Sequence, residues 1–335
     1  MKKLGILIIV LCLFGCSNSS KLEKLGYSQS DIDKIQTFSE ETQELFLNEY
    51  NEILASLIHI DGFKENKALS YVKYYGLYDD QKLVELVNDG TLNDTSYSKL
   101  NELYSSEFYV AKYEDLYLKY LNEYDSIRDL LEIVNTHRYC DLYTDIVTTD
   151  LSKGYMILVN KYNKLPSDYE PDDLVDIDSK YGRGVTRAAV YEAYKQMSDD
   201  ALEAGCDFWI CSAYRSYDTQ EVLYNRYLDE EGGDQSIVDT YSARPGHSEH
   251  QSGLCLDLYD TTYGMEGFGN SESSKWINEN CYKYGFIVRY TKEKENITGY
   301  DAEPWQVRYV GSAEIAKDIM DKNITFDEYY ACFVE

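Results

Sequence analysis

Proline and histidine are scarce in this chain. It has 4 prolines, 4 histidines and 20 glycines among 335 residues, while hydrophobic residues make up 44%. This composition is typical of a globular protein with a buried core and excludes a disordered chain. The length is enough for two domains.

Basic residues are also few. Lys and Arg number 32 against 60 Asp and Glu, which gives a formal net charge of -28. A field of that sign repels a phosphate backbone, so nucleic acid is excluded as a partner.

Long hydrophobic runs are missing as well. The apolar run from Gly5 to Phe14 is about half the length that crosses a bilayer. Lys2 and Lys3 precede this run, and small residues follow it, as in a secretory signal. Because Cys16 comes directly after Gly15, residues 1–15 resemble a bacterial lipoprotein signal peptide. The resemblance implies lipid on Cys16, a tether over residues 16–22 and an extracytoplasmic protein anchored to the membrane.

Six cysteines remain once Cys12 and Cys16 are set aside. An even number outside the cytosol permits disulfides, but spacing does not reveal their pairing. No CxxC pair occurs. The six are Cys140, Cys206, Cys211, Cys255, Cys281 and Cys332.

Two regions differ in their hydrophobic pattern. Residues 23–150 show helical spacing, with a capping signal at Ser28 and Asp31, and no convincing internal repeat. Residues 151–335 mix a helix near 186–204 with strand candidates at 206–212, 254–259 and 307–310. The absence of regular βαβ alternation predicts an α+β domain after an all-α region.

The chemistry concentrates between Ala243 and Asp257. Two of the four histidines, His247 and His250, lie here, and Asp257 follows on a predicted strand. Histidine and carboxylate are natural zinc ligands, and a nearby carboxylate can accept the proton of a metal-activated water. Glu303 is the candidate base.

The spacing of these residues resembles the M15 zinc peptidases, and within them the VanY-type D-alanyl-D-alanine carboxypeptidases. The pattern S-x-H-x-x-G-x-x-x-D is present as Ser248, His250, Gly253 and Asp257. Glu303 and Trp305 resemble the first three positions of a second pattern, E-x-W-H. The segment 212–220 resembles the family's arginine-bearing motif, and 158–161 resembles the start of its domain.

The resemblance implies a DD-peptidase-type domain with a small antiparallel sheet that binds one zinc ion and removes the terminal D-Ala of peptidoglycan stem peptides. It implies His250 and Asp257 as zinc ligands and Glu303 as general base. Arg215 would neutralise charge or hold substrate. Gln220 and Ser248 would contact the peptide.

The chain departs from the family at Gln306, where the third zinc-ligand histidine is expected. A neutral amide is a poor zinc ligand. Three alternatives follow: a weakened zinc site, a surrogate ligand such as Cys255 or His247, or a metal-free protein that binds cell-wall peptide without cleaving it. Specificity for D,D or L,D termini stays open.

Overall fold

The computed structural model describes residues 18–48 and 50–335. The predicted signal peptide 1–15 and Cys16 lie outside them. No helix among the described residues is long and apolar enough to cross a membrane.

The region before residue 136 is helical, as predicted. Its first helix, Asn18–Lys24, overlaps the predicted tether 16–22, because Leu22 is fully buried in a cluster with Ile32 and Phe46. Ser28 and Asp31 form the expected capping box. The helices are α1 (Asn18–Lys24), α2 (Gln29–Ile35), α3 (Glu40–Phe46), α4 (Asn51–Leu57), α5 (Ala68–Tyr74), α6 (Asp80–Asn88), α7 (Ser96–Ser105), α8 (Glu114–Tyr120) and α9 (Ile127–Asn135).

A hydrogen-bonded cluster joins α5 and α6. The hydroxyl of Tyr71 accepts a bond from the backbone N–H of Lys64 (3.1 Å) and donates one to Asn88 Oδ1 (2.8 Å). The Asn88 amide then donates to the carbonyl of Gly62 (2.8 Å). We call this arrangement the tyrosine–asparagine clasp.

The same clasp recurs at α8 and α9. Tyr117 accepts from the backbone N–H of Val110 (3.3 Å) and donates to Asn135, whose amide donates to the carbonyl of Phe108 (2.9 Å). In both copies the backbone N–H that donates to the tyrosine hydroxyl lies seven residues before the tyrosine. The region therefore contains a duplicated helix pair, and the expectation of no internal repeat was wrong.

The chain forms two compact units. One runs to Ser106 and includes Leu118–Ile127, and the other consists of Glu107–Tyr117 and Arg128–Glu335. The second unit therefore begins before the boundary predicted at residue 150. Within it, Arg128 pairs with Glu328 (2.6 Å), so α9 belongs with the C-terminal helix.

The second unit is built around a four-stranded antiparallel sheet of order β5-β6-β8-β7. The strands of the whole unit are β1 (Val147–Thr148), β2 (Asn163–Lys164), β3 (Leu174–Asp176), β4 (Val185–Arg187), β5 (Phe208–Ser212), β6 (Cys255–Asp260), β7 (Phe286–Tyr290) and β8 (Glu303–Tyr309), of which β1–β2 and β3–β4 form separate two-stranded sheets. Its further helices are α10 (Ala188–Glu203), α11 (Tyr217–Glu230), α12 (Gln235–Tyr241), α13 (Glu272–Asn280), α14 (Glu295–Thr298), α15 (Ala313–Lys322) and α16 (Phe326–Phe333).

Alternation along β6 positions the site. Leu254, Leu256 and Leu258 are fully buried in the core that α10 covers. Asp257 therefore points to the opposite face. The α+β fold with a small antiparallel sheet is confirmed, and the six described cysteines are free thiols.

Candidate active site

A cavity of about 340 Å³ lies on the Asp257 face of the sheet. It is lined by every residue that the sequence predicts for the site except the possible surrogate ligands Cys255 and His247, namely Arg215, Gln220, Ser248, His250, Asp257, Glu303 and Gln306. These residues come from separate segments between positions 215 and 306, so the fold, and not proximity in sequence, brings them together.

His250 is held by a tight turn. It lies in a 3₁₀ turn, Glu249–Ser252, that Ser248 caps and that Gly253 ends with φ 66°. Its Nδ1 is 2.6 Å from the carbonyl of Ala213, and since a carbonyl only accepts, Nδ1 carries a proton. Nε2 then faces Asp257 Oδ2 at 3.1 Å.

Asp257 has an unsatisfied oxygen. Its Oδ1 is buried and has no hydrogen-bond partner among the described residues. A buried carboxylate oxygen without a partner is costly, and a cation is the usual remedy. The side chains of Asp257 and His250 therefore suit a divalent metal ion.

Gln306 completes the set of donors. It is directly opposite Asp257 in the register of β6 and β8, so the two side chains share a face about 5 Å apart. Its side chain is 4% exposed and lines the cavity. An imidazole, a carboxylate and an amide thus line the same cavity, a donor set that offers zinc two strong ligands and one weak one.

The two possible surrogate ligands, Cys255 and His247, lie outside the cavity lining. Cys255 is fully buried opposite Arg308 on β8, and neither residue lines the cavity. His247 instead bonds through Nδ1 to the carbonyl of Asn160 (2.8 Å). Across residues 18–48 and 50–335, no three His, Cys, Asp or Glu side chains are grouped closely enough to hold a metal.

Arg215 is aimed at the site by two hydrogen bonds. It donates to Gln220 Oε1 (2.7 Å) and to Ser212 Oγ (3.0 Å), and one of its nitrogens is 4.0 Å from Asp257 Oδ2. Gln220 is 1% exposed and donates in turn to the carbonyl of Ala243 (2.7 Å). Gln220 therefore orients Arg215, and because Gln220 also lines the cavity, its contact with the peptide stays a prediction.

Asp257 and Glu303, two of the carboxylates that line the cavity, have opposite pKa shifts. Burial, with the nearby charge of Asp257, raises the pKa of Glu303 well above its usual value. Burial would raise the pKa of Asp257 too, but His250 and Arg215 hold it below its usual value. A carboxylate with a raised pKa beside one with a lowered pKa is a common arrangement in acid–base catalysis.

A buried charge cluster that sequence reasoning missed adjoins the cavity through Glu249. Its other members are Arg289, Arg308 and Asp327. Glu249 Oε1 accepts from Arg289 Nε and Arg308 Nη1, both at 2.9 Å, and Arg289 pairs with Asp327 at 2.7 Å. All four residues are at most 4% exposed. Glu249 and Arg308 lie inside the two motifs, which was the only available signal.

Residues 184–312 match the family model described as VanY: D-alanyl-D-alanine carboxypeptidase. YodJ of Bacillus subtilis (strain 168) is 40% identical over 187 residues, which cover 53% of this chain and 67% of YodJ. The D-alanyl-D-alanine carboxypeptidase of Enterococcus faecium is 34% identical over 196 residues, 55% of this chain and 60% of the enterococcal protein.

Solved structures show the same likeness. The LdcB LD-carboxypeptidase is 38% identical, with a TM-score of 0.52 over 56% of this chain and 90% of that one. The VanY D,D-pentapeptidase of a VanB-type resistance cassette, solved with Zn(II), is 30% identical with a TM-score of 0.47, over 52% of this chain and 98% of that one. The match of residues 184–312 to the family model and the 40% identity to YodJ, of which 67% is covered, show that the chain belongs to the VanY family of D-alanyl-D-alanine carboxypeptidase-like proteins.

Proposed function

We propose that this protein is a zinc-dependent carboxypeptidase that removes the terminal D-Ala of peptidoglycan stem peptides. The observation that carries the proposal is the shared cavity, in which His250, Asp257, Glu303 and Arg215 converge. The 30% identical VanY D,D-pentapeptidase was solved with Zn(II), which supports zinc as the ion.

In this proposal, His250, Asp257 and Gln306 hold the ion. When bound, zinc supplies Lewis acidity, which acidifies water and polarises a carbonyl. Glu303 takes the proton from the attacking water, a role that its raised pKa suits. Arg215 neutralises the negative charge that develops on the peptide carbonyl, and Ser248 contacts the peptide.

Gln306 is the weak ligand in this scheme. The loss of a partner that merely orients a metal ligand costs about 10–100-fold in affinity, and a ligand itself should matter at least as much. We therefore expect Gln306→His to strengthen zinc binding at least about tenfold and to raise the rate of D-Ala release. Isothermal titration with zinc measures the first and a D-Ala assay the second. Unchanged values for both would show that Gln306 is not at the ligand position.

Two substrates address the specificity of the site. A pentapeptide ending in D-Ala–D-Ala tests a D,D activity like that of the enterococcal carboxypeptidase. A tetrapeptide ending in a single D-Ala tests an L,D activity like that named for LdcB. Glu303→Gln should abolish D-Ala release from whichever peptide is cleaved, and it is the control for a contaminating peptidase.

A second function is a protein that binds cell-wall peptide without cleaving it. The observation in its favour is that the described residues contain no group of three His, Cys, Asp or Glu able to hold a metal. Purified protein that takes up no zinc at micromolar concentrations, yet binds the pentapeptide, would establish this function and end the enzymatic proposal.

We also propose that the mature protein is anchored outside the cytoplasm by lipid on Cys16. The support is the sequence pattern of residues 1–16. Mass spectrometry of the N-terminal peptide from membranes should find a lipid-modified Cys16 and no residue before it. An intact N-terminus that keeps residues 1–15 would refute the anchor.

A further inference from the structure

Two loops contribute to the lining of the cavity. The histidine loop, residues 239–250, contributes Ser248 and His250, and the glutamate loop, residues 299–303, contributes Tyr300 and Glu303. The metal-binding histidine and the proposed base are therefore on different loops. Because reactivity depends on the placement of catalytic groups to within about an ångström, the spacing of the loops matters.

A direct contact between the loops is small. The backbone N–H of Asp301 donates to the carbonyl of Thr240 (2.8 Å), and the Thr240 hydroxyl donates to the Asp301 carboxylate (2.9 Å). The side-chain bond is exposed, so water competes for it and it adds little stability. Something else must fix the loop spacing.

Tyr143 contacts both loops. On the histidine loop, its ring packs edge-on against His247 with centroids 5.0 Å apart, and the Arg244 guanidinium lies 4.0 Å from its centroid. Towards the glutamate loop, its hydroxyl is 3.4 Å from that of Tyr300. Its side chain is thus inserted between the loops, and the residue is 8% exposed.

Lys161 makes a second bridge of the same kind. Its Nζ donates to the carbonyl of Asp239 on the histidine loop. The same group lies 3.5 Å from the ring centroid of Tyr300 on the glutamate loop and 5.0 Å from that of Tyr143. With 1% exposure, Lys161 has no access to solvent or substrate.

The backbone at Tyr143 is strained in a way that favours a specific role. Tyr143 has φ 60°, and Asp145 close by has φ 50°. A non-glycine residue in this region costs about 1–3 kcal/mol and persists only where its surroundings hold it. Tyr143 also precedes residue 184, where the match to the family begins. A segment outside the matched region therefore packs against both loops that line the site.

We propose that Tyr143 and Lys161 form a wedge that sets the spacing of the histidine and glutamate loops, and that both are positioning residues for peptide binding. The wedge itself follows from packing. Its effect on peptide affinity rests on the proposed function.

Hydrogen exchange tests the wedge without any activity assay. Tyr143→Ala should speed exchange of the Asp301 amide at least about tenfold, because opening of the loops breaks its bond to Thr240. Tyr143→Phe keeps the ring and should stay near the wild type. The matched control is Tyr330→Ala, since Tyr330 is 6% exposed but packs in a different cluster around Phe326. Equal exchange at Asp301 in the wild type, Tyr143→Ala and Tyr330→Ala would overturn the wedge.

Peptide titration tests the consequence. The fluorescence of Trp305, which lines the cavity, should report binding of the D-Ala–D-Ala pentapeptide in the presence of zinc. We expect Tyr143→Ala to weaken binding about tenfold, with Tyr143→Phe restoring most of it and Tyr330→Ala leaving it unchanged. Equal weakening by both alanine variants would reduce Tyr143 to a structural role. A wild-type protein that binds no peptide would end the proposed function, while exchange would still decide the wedge.

Discussion

Glu249 should be among the most sensitive residues of the peptidase unit, although it contacts no substrate in our scheme. Its carboxylate is the shared partner of Arg289 and Arg308, and Asp327 supplies the second negative charge. The four charges cancel. Glu249→Gln leaves one uncompensated buried positive charge, and breaking a buried pair in this way costs about 3–5 kcal/mol. A domain is stable by only about 5–15 kcal/mol, so the loss would be a large part of the total.

Urea unfolding followed by tryptophan fluorescence measures this cost. The chain's three tryptophans, Trp209, Trp276 and Trp305, all lie in the second compact unit, so the signal reports that unit alone. Asp199→Asn is the control, because Asp199 pairs with Lys180 at 2.8 Å with its side chain 50% exposed. That variant should unfold at the urea concentration of the wild type.

A double variant distinguishes charge imbalance from lost packing. Adding Arg308→Met to Glu249→Gln removes one charge of each sign, so the double variant should lose about 2 kcal/mol less than the sum of the single variants. Strict additivity, or a Glu249→Gln cost below about 1 kcal/mol, would show that the cluster behaves like a surface ion pair and would refute the reasoning.

Two further predictions concern other parts of the chain. Asn88→Ala should speed hydrogen exchange of the Lys64 N–H, and Asn135→Ala should speed exchange of the Val110 N–H, because each N–H belongs to the clasp of that asparagine. The effect should be larger for Asn135, which is 4% exposed. An effect at only one of the two sites would contradict the duplication. Burial lowers the pKa of Lys161 to about 7, below its value of about 10.4 in an unfolded chain. Between these two pKa values the unfolded chain binds one more proton than the folded chain, so the stability of the folded protein rises with pH. In urea titrations, the free energy of unfolding of the wild type should therefore increase by about 2 kcal/mol relative to that of Lys161→Met between pH 7 and 9. A difference that stays constant with pH would mean that Lys161 is charged in the folded protein.

The place of the candidate site could be predicted because several of its residues lie at fixed spacing within short sequence motifs. Asp257 comes seven residues after His250, on a strand in which leucines alternate with it. The sequence therefore predicts that His250 and Asp257 belong to one site, and it predicts which face of the sheet Asp257 occupies. The sequence puts Gln306 next to Trp305, and the register of β6 against β8 shows in addition that Gln306 lies opposite Asp257.

What escaped prediction depends on contacts between distant residues. Strand β7 was missed because Arg289 interrupts its apolar pattern, and only the folded chain shows that Glu249 and Asp327 neutralise that charge. Tyr143 looked like one of many tyrosines, since its neighbours Arg244 and Tyr300 are far away in sequence. The duplicated clasp was hidden because its tyrosine and asparagine are 17 residues apart in one copy and 18 in the other, so no single repeat length aligns both.

The pairing of Arg128 with Glu328 has a practical consequence for dissection of the chain. A fragment that starts at residue 151 would keep every active-site residue and would still lack α9. Glu328, 2% exposed in the whole chain, would lose its arginine, and the carbonyl of Phe108 and the amide of Asn135 would be absent beside Cys332. Low yield or aggregation of such a fragment would then reflect where it was cut and would say nothing about catalysis. A cut just before Glu107 would retain these partners.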